Sequence, residues 1–203
     1  MKICETTEKA LIEEIVCIHM QAFEGFFLTE LGKGFLKTLY KGYMDDEKSG
    51  ILVAKEKGKL LGFVAYSKDY SAFFKGLIKR KIIQFGFYSM LAFIKHPSFL
   101  KRLIGAFGKS DEVAREEKYV ELSSIAVKKE IKSKGVGSKM INKLKEITDF
   151  TEYKYISLET DAENNDKVNG FYKKNGFELT REYGTKYGRK MNEYRYAKNM
   201  VTQ

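Results

Sequence analysis

The sequence contains one proline, two cysteines and two histidines among its 203 residues. Cys4 and Cys17 are too few for a disulfide framework, and both lie near the amino end. His19 and His96 add no spacing that is typical of a metal site. We therefore expect a reduced protein that binds no metal. The single proline also leaves no obvious linker between domains.

Long apolar runs are absent as well. The first residues, MKICETTEK, lack the apolar core of a signal peptide. No apolar run approaches the roughly 20 residues that a membrane-spanning helix requires. These absences predict a cytoplasmic protein.

The composition is that of a folded chain, with 43% hydrophobic and 32% charged residues. This length suits a single α/β domain over residues 1–203. The net charge of +10 is uneven, because residues 68–109 contain nine lysines or arginines against Asp69 alone, a net of +8. We interpret residues 68–117 as a basic, aromatic helical insert in that domain.

The most informative stretch is Tyr119–Lys139, which predicts a strand, a charged loop and a helix. Alternating residues from Glu121 to Val127 predict the strand, with Glu121, Ser123, Ile125 and Val127 on one face and Leu122, Ser124 and Ala126 on the other. The helix is predicted from apolar residues at helical spacing, which are Val136, Met140, Ile141, Leu144 and Ile147.

Gly135-Val136-Gly137 lies between this strand and this helix. A glycine turn at the start of a helix presents free N–H groups beside the positive end of the helix dipole, which is typical of an anion site. The phosphate loop GxxxxGK[ST] does not occur, and a GxGxxG match fails at Met140. On the glycines alone, a tight turn without a ligand is an equally good interpretation.

Hydrophobic patterns predict the remaining elements. We expect two helices near the amino end, the second ending near Gly42 in spite of Gly32 and Gly34. The insert predicts helices over 71–81, 83–95 and 97–107. The insert has three interpretations: a lid with a solvated basic face, a membrane-interface element, and part of a pocket for an acidic substrate. The other predicted strands are 2–4, 51–54, 60–66, 153–158, 178–183 and 192–197.

Two segments resemble motifs of one family. Lys132-Ser133-Lys134-Gly135-Val136-Gly137 resembles the [RQ]xxGx[GA] loop of the GNAT acetyltransferases, and Asn165 to Phe177 resembles their NxxAxxFYxxxGF segment. Lys132 departs from Arg or Gln, and Val168 departs from Ala. The resemblance covers the order of elements from Lys2 to Lys198, except for the insert, and identifies the chain as similar to GNAT N-acetyltransferases.

This resemblance implies a fold and a co-substrate. The fold class would be α/β (α+β): a mixed central sheet of six or seven strands flanked by helices, with the helical insert between the third and fourth strands. Acetyl-CoA would be the co-substrate, with no metal. The residues implied in binding it are Ile125, Ala126, Val127, Lys132, Ser133, Lys134, Gly135, Val136, Gly137, Ser138 and Asn165, the N–H groups of Lys134 to Ser138 holding the pyrophosphate.

The resemblance also suggests catalytic residues. Tyr172 matches the family's general acid, although it could instead only pack beside Phe171. Glu121 stands where some histone-acetylating members carry a catalytic glutamate, and it could alternatively bind substrate or face solvent. Ser123 and Ser124 could contact the thioester or the acceptor.

The resulting hypothesis is direct transfer of acetyl from acetyl-CoA to a primary amine in a ternary complex. The aromatic and basic insert, together with the LGxxFLxxLY-like helix from Leu31 to Tyr40, is similar to GNAT members of surface-polysaccharide pathways, which implies a small acceptor, an amino sugar or nucleotide-linked amino sugar. An anionic carrier would suit the basic insert. The alternative is a peripheral membrane or nucleic-acid binding module with a vestigial acetyltransferase core. If the protein is an enzyme, we expect no nucleic-acid partner. Residues 68–109 are then the candidate membrane contact. The sequence is compatible with both a monomer and a homodimer.

Overall fold

The computed structural model describes residues 1–95, 117–185 and 188–198, with the backbone alone for 91–95. The described residues form a seven-stranded sheet with helices on both faces. Its strands are β1 Lys2–Glu5, β2 Ser49–Glu56, β3 Lys59–Ser67, β4 Tyr119–Val127, β5 Tyr155–Asp161, β6 Glu178–Gly184 and β7 Lys190–Tyr196.

The strand order is β1-β2-β3-β4-β5-β7-β6, and among the described strands only β4 and β5 pair in parallel. Strands β2 and β3 form a hairpin whose turn residues, Lys57 and Gly58, both have positive φ angles, 47° and 76°. Such angles match the twist of a tight hairpin. Strand β4 reaches β5 through a helix, as a parallel pair requires. The predicted mixed sheet is confirmed.

Six α-helices lie in the described ranges: α1 Ile12–Ala22, α2 Phe27–Glu30, α3 Gly32–Asp45, α4 Tyr70–Lys95, α5 Val136–Ile147 and α6 Asp166–Lys174. Helices α1, α3 and α4 share one apolar cluster on one face of the sheet, which we call the front face. Helices α5 and α6 pack into a second cluster on the opposite, or back, face. Helices α1, α3 and α5 bury their apolar stripes against the sheet, whereas α4 packs on α3.

Helix α3 continues to Asp45, so the predicted end near Gly42 is wrong. A Cβ atom at Gly34 would overlap the ring of Tyr88, and one at Gly42 would overlap Leu77. Both glycines therefore let α4 pack closely on α3. This packing offsets the roughly 1 kcal/mol per residue by which glycine weakens a helix relative to alanine.

Helix α4 contains the first two helices predicted for the insert. Its helical geometry is interrupted at Lys81, where φ is −121° and ψ is 19°. Lys81 is the last residue of the predicted range 71–81, two residues before the range 83–95 begins. Both predictions are confirmed. The third predicted helix, 97–107, lies outside the described residues.

Candidate active site

Strands β4 and β5 separate soon after they meet. They pair only at Tyr119↔Tyr155, Val120↔Ile156 and Glu121↔Ser157. Beyond these pairs β4 runs on to Val127 and β5 to Asp161 without pairing to each other. We call the wedge between these two strand ends the splay. The edge of β4 that lines it has backbone groups that no described strand uses.

A bulge changes the direction of the side chains in β4. Ala65 of β3 pairs with Ser124, whereas the next residue, Tyr66, pairs with Leu122. Ser123 is therefore an extra residue in the ladder, which is the definition of a β-bulge. Its Oγ atom is buried and makes no hydrogen bond within the described residues.

The bulge corrects the alternation expected from the sequence. Ser124 pairs with Ala65, and Ala65 and Ala126 both belong to the front cluster, whereas Ile125 and Val127 pack against the back cluster. Glu121, Ile125 and Val127 therefore do not share a face. The prediction that they would is wrong, because an inserted residue shifts a pattern of period two by one position.

The turn before α5 has the geometry of an anion site. Gly135 has a φ angle of +75°, in the left-handed region that glycine adopts without strain, and α5 begins at Val136. The first N–H groups of a helix have no acceptor within it. The Lys134 N–H donates to the Ile131 carbonyl at 3.4 Å, so the donors left for an anion begin at Gly135. Exposed side chains of Lys132 and Lys134 add positive charge.

Helices α5 and α6 approach each other at Gly137. A Cβ atom there would stand 3.1 Å from Cζ of Phe171, closer than side chains normally pack. The second glycine of the turn therefore lets the α6 ring lie against the start of α5. This contact joins the two segments that the sequence singled out.

Asn165 fastens the start of α6 to the end of β5. Its Nδ2 atom donates to Thr160 Oγ1 at 2.8 Å and to the Asp161 carbonyl at 3.0 Å. Asn169 donates to the same carbonyl at 3.1 Å. Both amide hydrogens of Asn165 are thus engaged with β5. Asn165 can therefore contact acetyl-CoA only through its backbone or its side-chain Oδ1 atom.

Tyr172 lies directly behind the splay. It is 7% exposed and belongs to the back cluster together with Leu122 and Leu158, the residues that follow the last β4–β5 pair. Its ring centroid is 5.9 Å from Phe177 and 6.0 Å from Tyr194. Burial raises the pKa of Tyr172 above its ordinary value, so the phenol keeps its proton.

Glu121 lies in a cluster of phenols and carboxylates on the front side of the splay. Burial first, and then the carboxylates of Glu121 and Glu159, raise the pKa of Tyr70. Burial is also the main cause that raises the pKa of Tyr43, to which Glu121 contributes. The pKa of Tyr183 is raised by burial and by its contact with Glu159. Carboxylates from β4 and β5 therefore lie near each other.

A small cleft of about 200 Å³ adjoins the end of β5. Arg189 donates from Nε and Nη2 to Asp161 Oδ1 at 3.0 and 2.6 Å, and its guanidinium carbon is 5.9 Å from the Phe26 ring. The arginine is thus already paired with a carboxylate. The lining residues are Glu24, Gly25, Phe26, Phe27, Asp161 and Arg189.

A family model for the acetyltransferase (GNAT) family matches residues 12–177 of the sequence. The chain belongs to this family. The GNAT resemblance stated from the two motifs is confirmed, and the protein is a GNAT N-acetyltransferase. No curated protein matches the chain in a sequence comparison.

Solved structures share this GNAT fold. A protein described as a GNAT acetyltransferase from Desulfovibrio desulfuricans aligns with a TM-score of 0.61 at 12% identity, over 97% of this chain and 98% of that one. A ribosomal-protein-alanine N-acetyltransferase from Brucella melitensis aligns at 0.60 and 14% identity, over 97% and 99%. A protein described as a streptothricin acetyltransferase from Bacillus anthracis, in complex with acetyl coenzyme A, aligns at 0.50 and 17%, over 78% and 67%.

The geometry of this GNAT protein fits acetyl-CoA. The positive φ of Gly135 and the space around it leave room for a phosphate at the start of α5.

Within the described ranges, no helix is long and apolar enough to cross a membrane. The same ranges contain no group of three or more histidine, cysteine or acidic side chains that could hold a metal ion.

Sequence reasoning missed the residues that face Glu121. Glu159 follows Ser157 by two positions, so strand alternation could have placed it on the face of Ser157, beside Glu121. Tyr43 and Tyr70 belong to helices α3 and α4. No motif marks them, because their place in the site depends on how these helices dock on the sheet.

Proposed function

We propose that this GNAT N-acetyltransferase moves the acetyl group of acetyl-CoA to a primary amine of a small acceptor, by direct transfer in a ternary complex. The observation that carries this proposal is the splay beyond Glu121 and Ser157, which adjoins both the turn at Gly135 and the buried Tyr172.

In this proposal the unused edge of β4 binds the pantetheine arm through backbone groups of Ile125, Ala126 and Val127. The pyrophosphate is held by N–H groups from Gly135 to Ser138, and the side chains of Lys132, Ser133 and Lys134 surround it. The support is the unpaired strand edge, the left-handed Gly135 and the local positive charge.

Acetyl-CoA supplies its acetyl group as a thioester. Glu121, directly or through water, accepts a proton from the acceptor ammonium, so that the amine lone pair is available to attack the carbonyl carbon. The new C–N bond forms as the C–S bond breaks. Tyr172 gives its proton to the departing sulfur, which prevents the release of a free thiolate. The second proton that the attacking nitrogen loses as it becomes an amide restores the proton of Tyr172. The position of Tyr172 behind the splay, in one cluster with Leu122 and Leu158, supports this role.

The positions of the cysteines support direct transfer over a covalent enzyme intermediate. Cys4 lies on β1, which β2 and β3 separate from β4. Cys17 is exposed on α1. Neither is placed on the strands that form the splay, so no cysteine in the sequence is a good candidate for an acetyl-cysteine intermediate.

The acceptor class proposed is an amino sugar. The sequence favoured an acceptor on an anionic carrier, whereas the cleft carries the carboxylates of Glu24 and Asp161 and an arginine already paired with Asp161. Together with Glu159, two residues before Asp161 on β5, these charges support a cationic amine over a nucleotide-linked one. The structural neighbours described as a streptothricin acetyltransferase and a ribosomal-protein-alanine N-acetyltransferase add streptothricin and amino-terminal alanine peptides to the acceptors to be tested.

A second candidate property is contact with an anionic membrane surface. Large apolar side chains are exposed on α4 directly after the interruption at Lys81. Basic residues lie at this interruption and directly before it. Ile83 is 85% exposed. The other exposed apolar residues are Ile82, Phe87 and Met90, and the basic residues are Lys79, Arg80 and Lys81. This combination is typical of an interfacial helix.

The test of the proposed function is acetyl-CoA binding by calorimetry, followed by thiol release over a panel of amines. The panel contains amino sugars, their nucleotide-linked forms, polyamines, streptothricin and peptides with amino-terminal alanine. We expect binding of acetyl-CoA and turnover with an amino sugar. Failure of the purified protein to bind acetyl-CoA would contradict the proposal.

A further inference from the structure

Lys145 joins the end of helix α5 to the end of helix α6. It lies in the last turn of α5, and its Nζ atom donates a hydrogen bond to the backbone carbonyl of Asn175 at 2.5 Å. Asn175 is the residue that ends α6. The last carbonyl groups of a helix have no partner within it, and a lysine ammonium beside them also interacts favourably with the negative end of the helix dipole. Lys145 therefore caps a helix other than its own.

Two aromatic rings contact the same ammonium. Nζ of Lys145 lies 3.6 Å from the centre of the Tyr196 ring and 5.5 Å from the centre of the Phe177 ring. Both distances suit cation–π attraction. Burial lowers the pKa of Lys145, and no carboxylate among the described residues opposes this effect. The charge of Lys145 thus serves the end of α6 and these two rings.

Both kinds of contact lead to Tyr172, the proposed general acid. The backbone carbonyl of Tyr172 accepts hydrogen bonds from the N–H groups of Asn175 at 3.0 Å and Phe177 at 3.1 Å. The Phe177 ring lies 5.9 Å from the ring of Tyr172 and 5.8 Å from that of Tyr196. Tyr172 is therefore linked to Lys145 through its own backbone and through its ring.

Helix α6 also contacts α5 near the start of α5, where Phe171 packs on Gly137. Lys145 lies eight residues further along α5, a distance of about 12 Å at the rise of an α-helix. The contact at Gly137 adjoins the turn proposed to hold the pyrophosphate, whereas the contact at Lys145 is remote from it. A substitution at Lys145 can therefore disturb Tyr172 and leave the cofactor turn intact.

We propose that Lys145 is a positioning residue, whose ammonium fixes the last turn of α6 on α5 and thereby holds Tyr172 behind the splay, where the thiolate departs. This inference rests on the proposed function, in which Tyr172 is the general acid. Neither of the two motifs contains Lys145. A proton donor must be placed accurately, since a displacement of about 1 Å can reduce a rate about 100-fold.

The first test separates turnover from binding. Lys145→Met keeps the apolar stem of the side chain and removes the ammonium, so we expect kcat to fall about tenfold while the affinity for acetyl-CoA changes less than about twofold. Lys145→Arg keeps a cation that can donate to the Asn175 carbonyl and lie over Tyr196, and it should retain most of kcat. Full turnover in Lys145→Met would overturn the inference.

Lys143→Met is the matched control for this substitution. Lys143 also lies on α5, but its ammonium pairs with Glu146 of the same helix at 2.8 Å. Exposed pairs of this kind contribute little to stability. We therefore expect Lys143→Met to keep the kcat of the wild type.

The second test shows whether Lys145 acts through Tyr172. If it does, Lys145→Met should lower kcat in the wild type and have little further effect in Tyr172→Phe, because no phenol proton is left to position. A lysine with a merely structural role would lower kcat by the same factor in both backgrounds, and that result would contradict the proposal. Melting temperatures of the four proteins verify that the comparison is made between folded variants.

The third test does not depend on activity. Carbon-13 NMR of the protein labelled at the tyrosine Cζ atoms reports on each phenol, and Tyr172→Phe identifies the signal of Tyr172. We expect Lys145→Met to shift this signal and Lys143→Met to leave it in place. An unmoved Tyr172 signal in Lys145→Met would refute the positioning role. If the wild type binds no acetyl-CoA, the proposed function fails, and the NMR result still decides whether Lys145 holds Tyr172 in place.

Discussion

Glu121 and Ser157 form the last residue pair between β4 and β5. Beyond that pair the two parallel strands diverge, so a candidate base stands at the point where the splay opens. Leu122 and Leu158, which follow the pair on the two strands, pack in one cluster with Tyr172. Tyr172, the proposed acid, and Glu121, the proposed base, therefore lie at the same end of the splay, on opposite faces of the sheet.

The first prediction concerns the anion turn. Gly135→Asp should reduce acetyl-CoA affinity by more than about 100-fold, because a carboxylate would stand beside the site proposed for the pyrophosphate. Gly135→Asn is the matched control, since asparagine has nearly the same shape and tolerates the left-handed φ of +75°. Calorimetric titration with acetyl-CoA measures both. Equal losses in the two variants would point to backbone strain and against charge repulsion.

The second prediction concerns the general acid. Tyr172→Phe should lower kcat by about 10-fold to 100-fold and leave acetyl-CoA affinity nearly unchanged, because the proton is needed only as sulfur departs. Tyr194→Phe removes a hydroxyl from the same cluster and should keep its activity. Steady-state kinetics with calorimetry separate kcat from binding. Full turnover in Tyr172→Phe would leave the tyrosine with a packing role alone.

The third prediction concerns the general base. Glu121→Gln should lower kcat/KM by about 100-fold near neutral pH, and the deficit should shrink at high pH as the acceptor amine loses its proton to solvent. Glu159→Gln changes a neighbouring carboxylate on β5 without removing the proposed base. A pH–rate profile of both variants is the measurement. If both show the same loss at every pH, the carboxylates act through their charge on acceptor binding.

The two motifs were sufficient to predict the mixed sheet, and they marked residues that lie together on its back face. Gly135, Gly137 and Tyr172 are set by local geometry, a left-handed turn and a helix face, which short sequence patterns record. The bulge at Ser123 was not predictable, because a strand with one inserted residue has the same composition as a regular one. The pairing of β3 with β4 in the structure shows that Ser124 lies on the front face.

The front side of the site was less accessible to sequence reasoning for a related reason. Tyr40, Tyr43 and Tyr70 belong to helices whose apolar spacing predicts burial and gives no indication of a polar role. Gly34 and Gly42 looked like weak points in a helix until Tyr88 and Leu77 were found packed on them. The packing role of Gly34 and Gly42 depends on contacts between α3 and α4, and no local sequence pattern encodes such contacts.

The fourth prediction concerns the exposed apolar residues of α4. We expect the protein to float with vesicles that contain anionic lipid at low salt and less at high salt, because screening weakens the attraction of the basic residues. Ile83→Glu should weaken vesicle binding by about tenfold, the value of one buried aliphatic side chain. Leu179→Glu, on a residue 45% exposed on β6, is the matched control. Absence of flotation at low salt would remove the membrane proposal.

The fifth prediction concerns stability and pH, and it depends on His19. Burial lowers the pKa of His19 in the folded state from 6.5 to about 4, so between these values the unfolded chain binds more protons than the folded one. Stability must therefore fall as the pH falls through this window, by about 3 kcal/mol at most for this residue. Denaturant unfolding at pH 7.5 and pH 4.5 measures the loss.

His19→Leu isolates the histidine from the carboxylates that also titrate at low pH. The leucine variant cannot bind this proton in either state, so its free energy of unfolding should fall less between the two pH values than that of the wild type, by about 2 to 3 kcal/mol. Identical slopes for His19→Leu and the wild type would mean that His19 titrates normally in the fold.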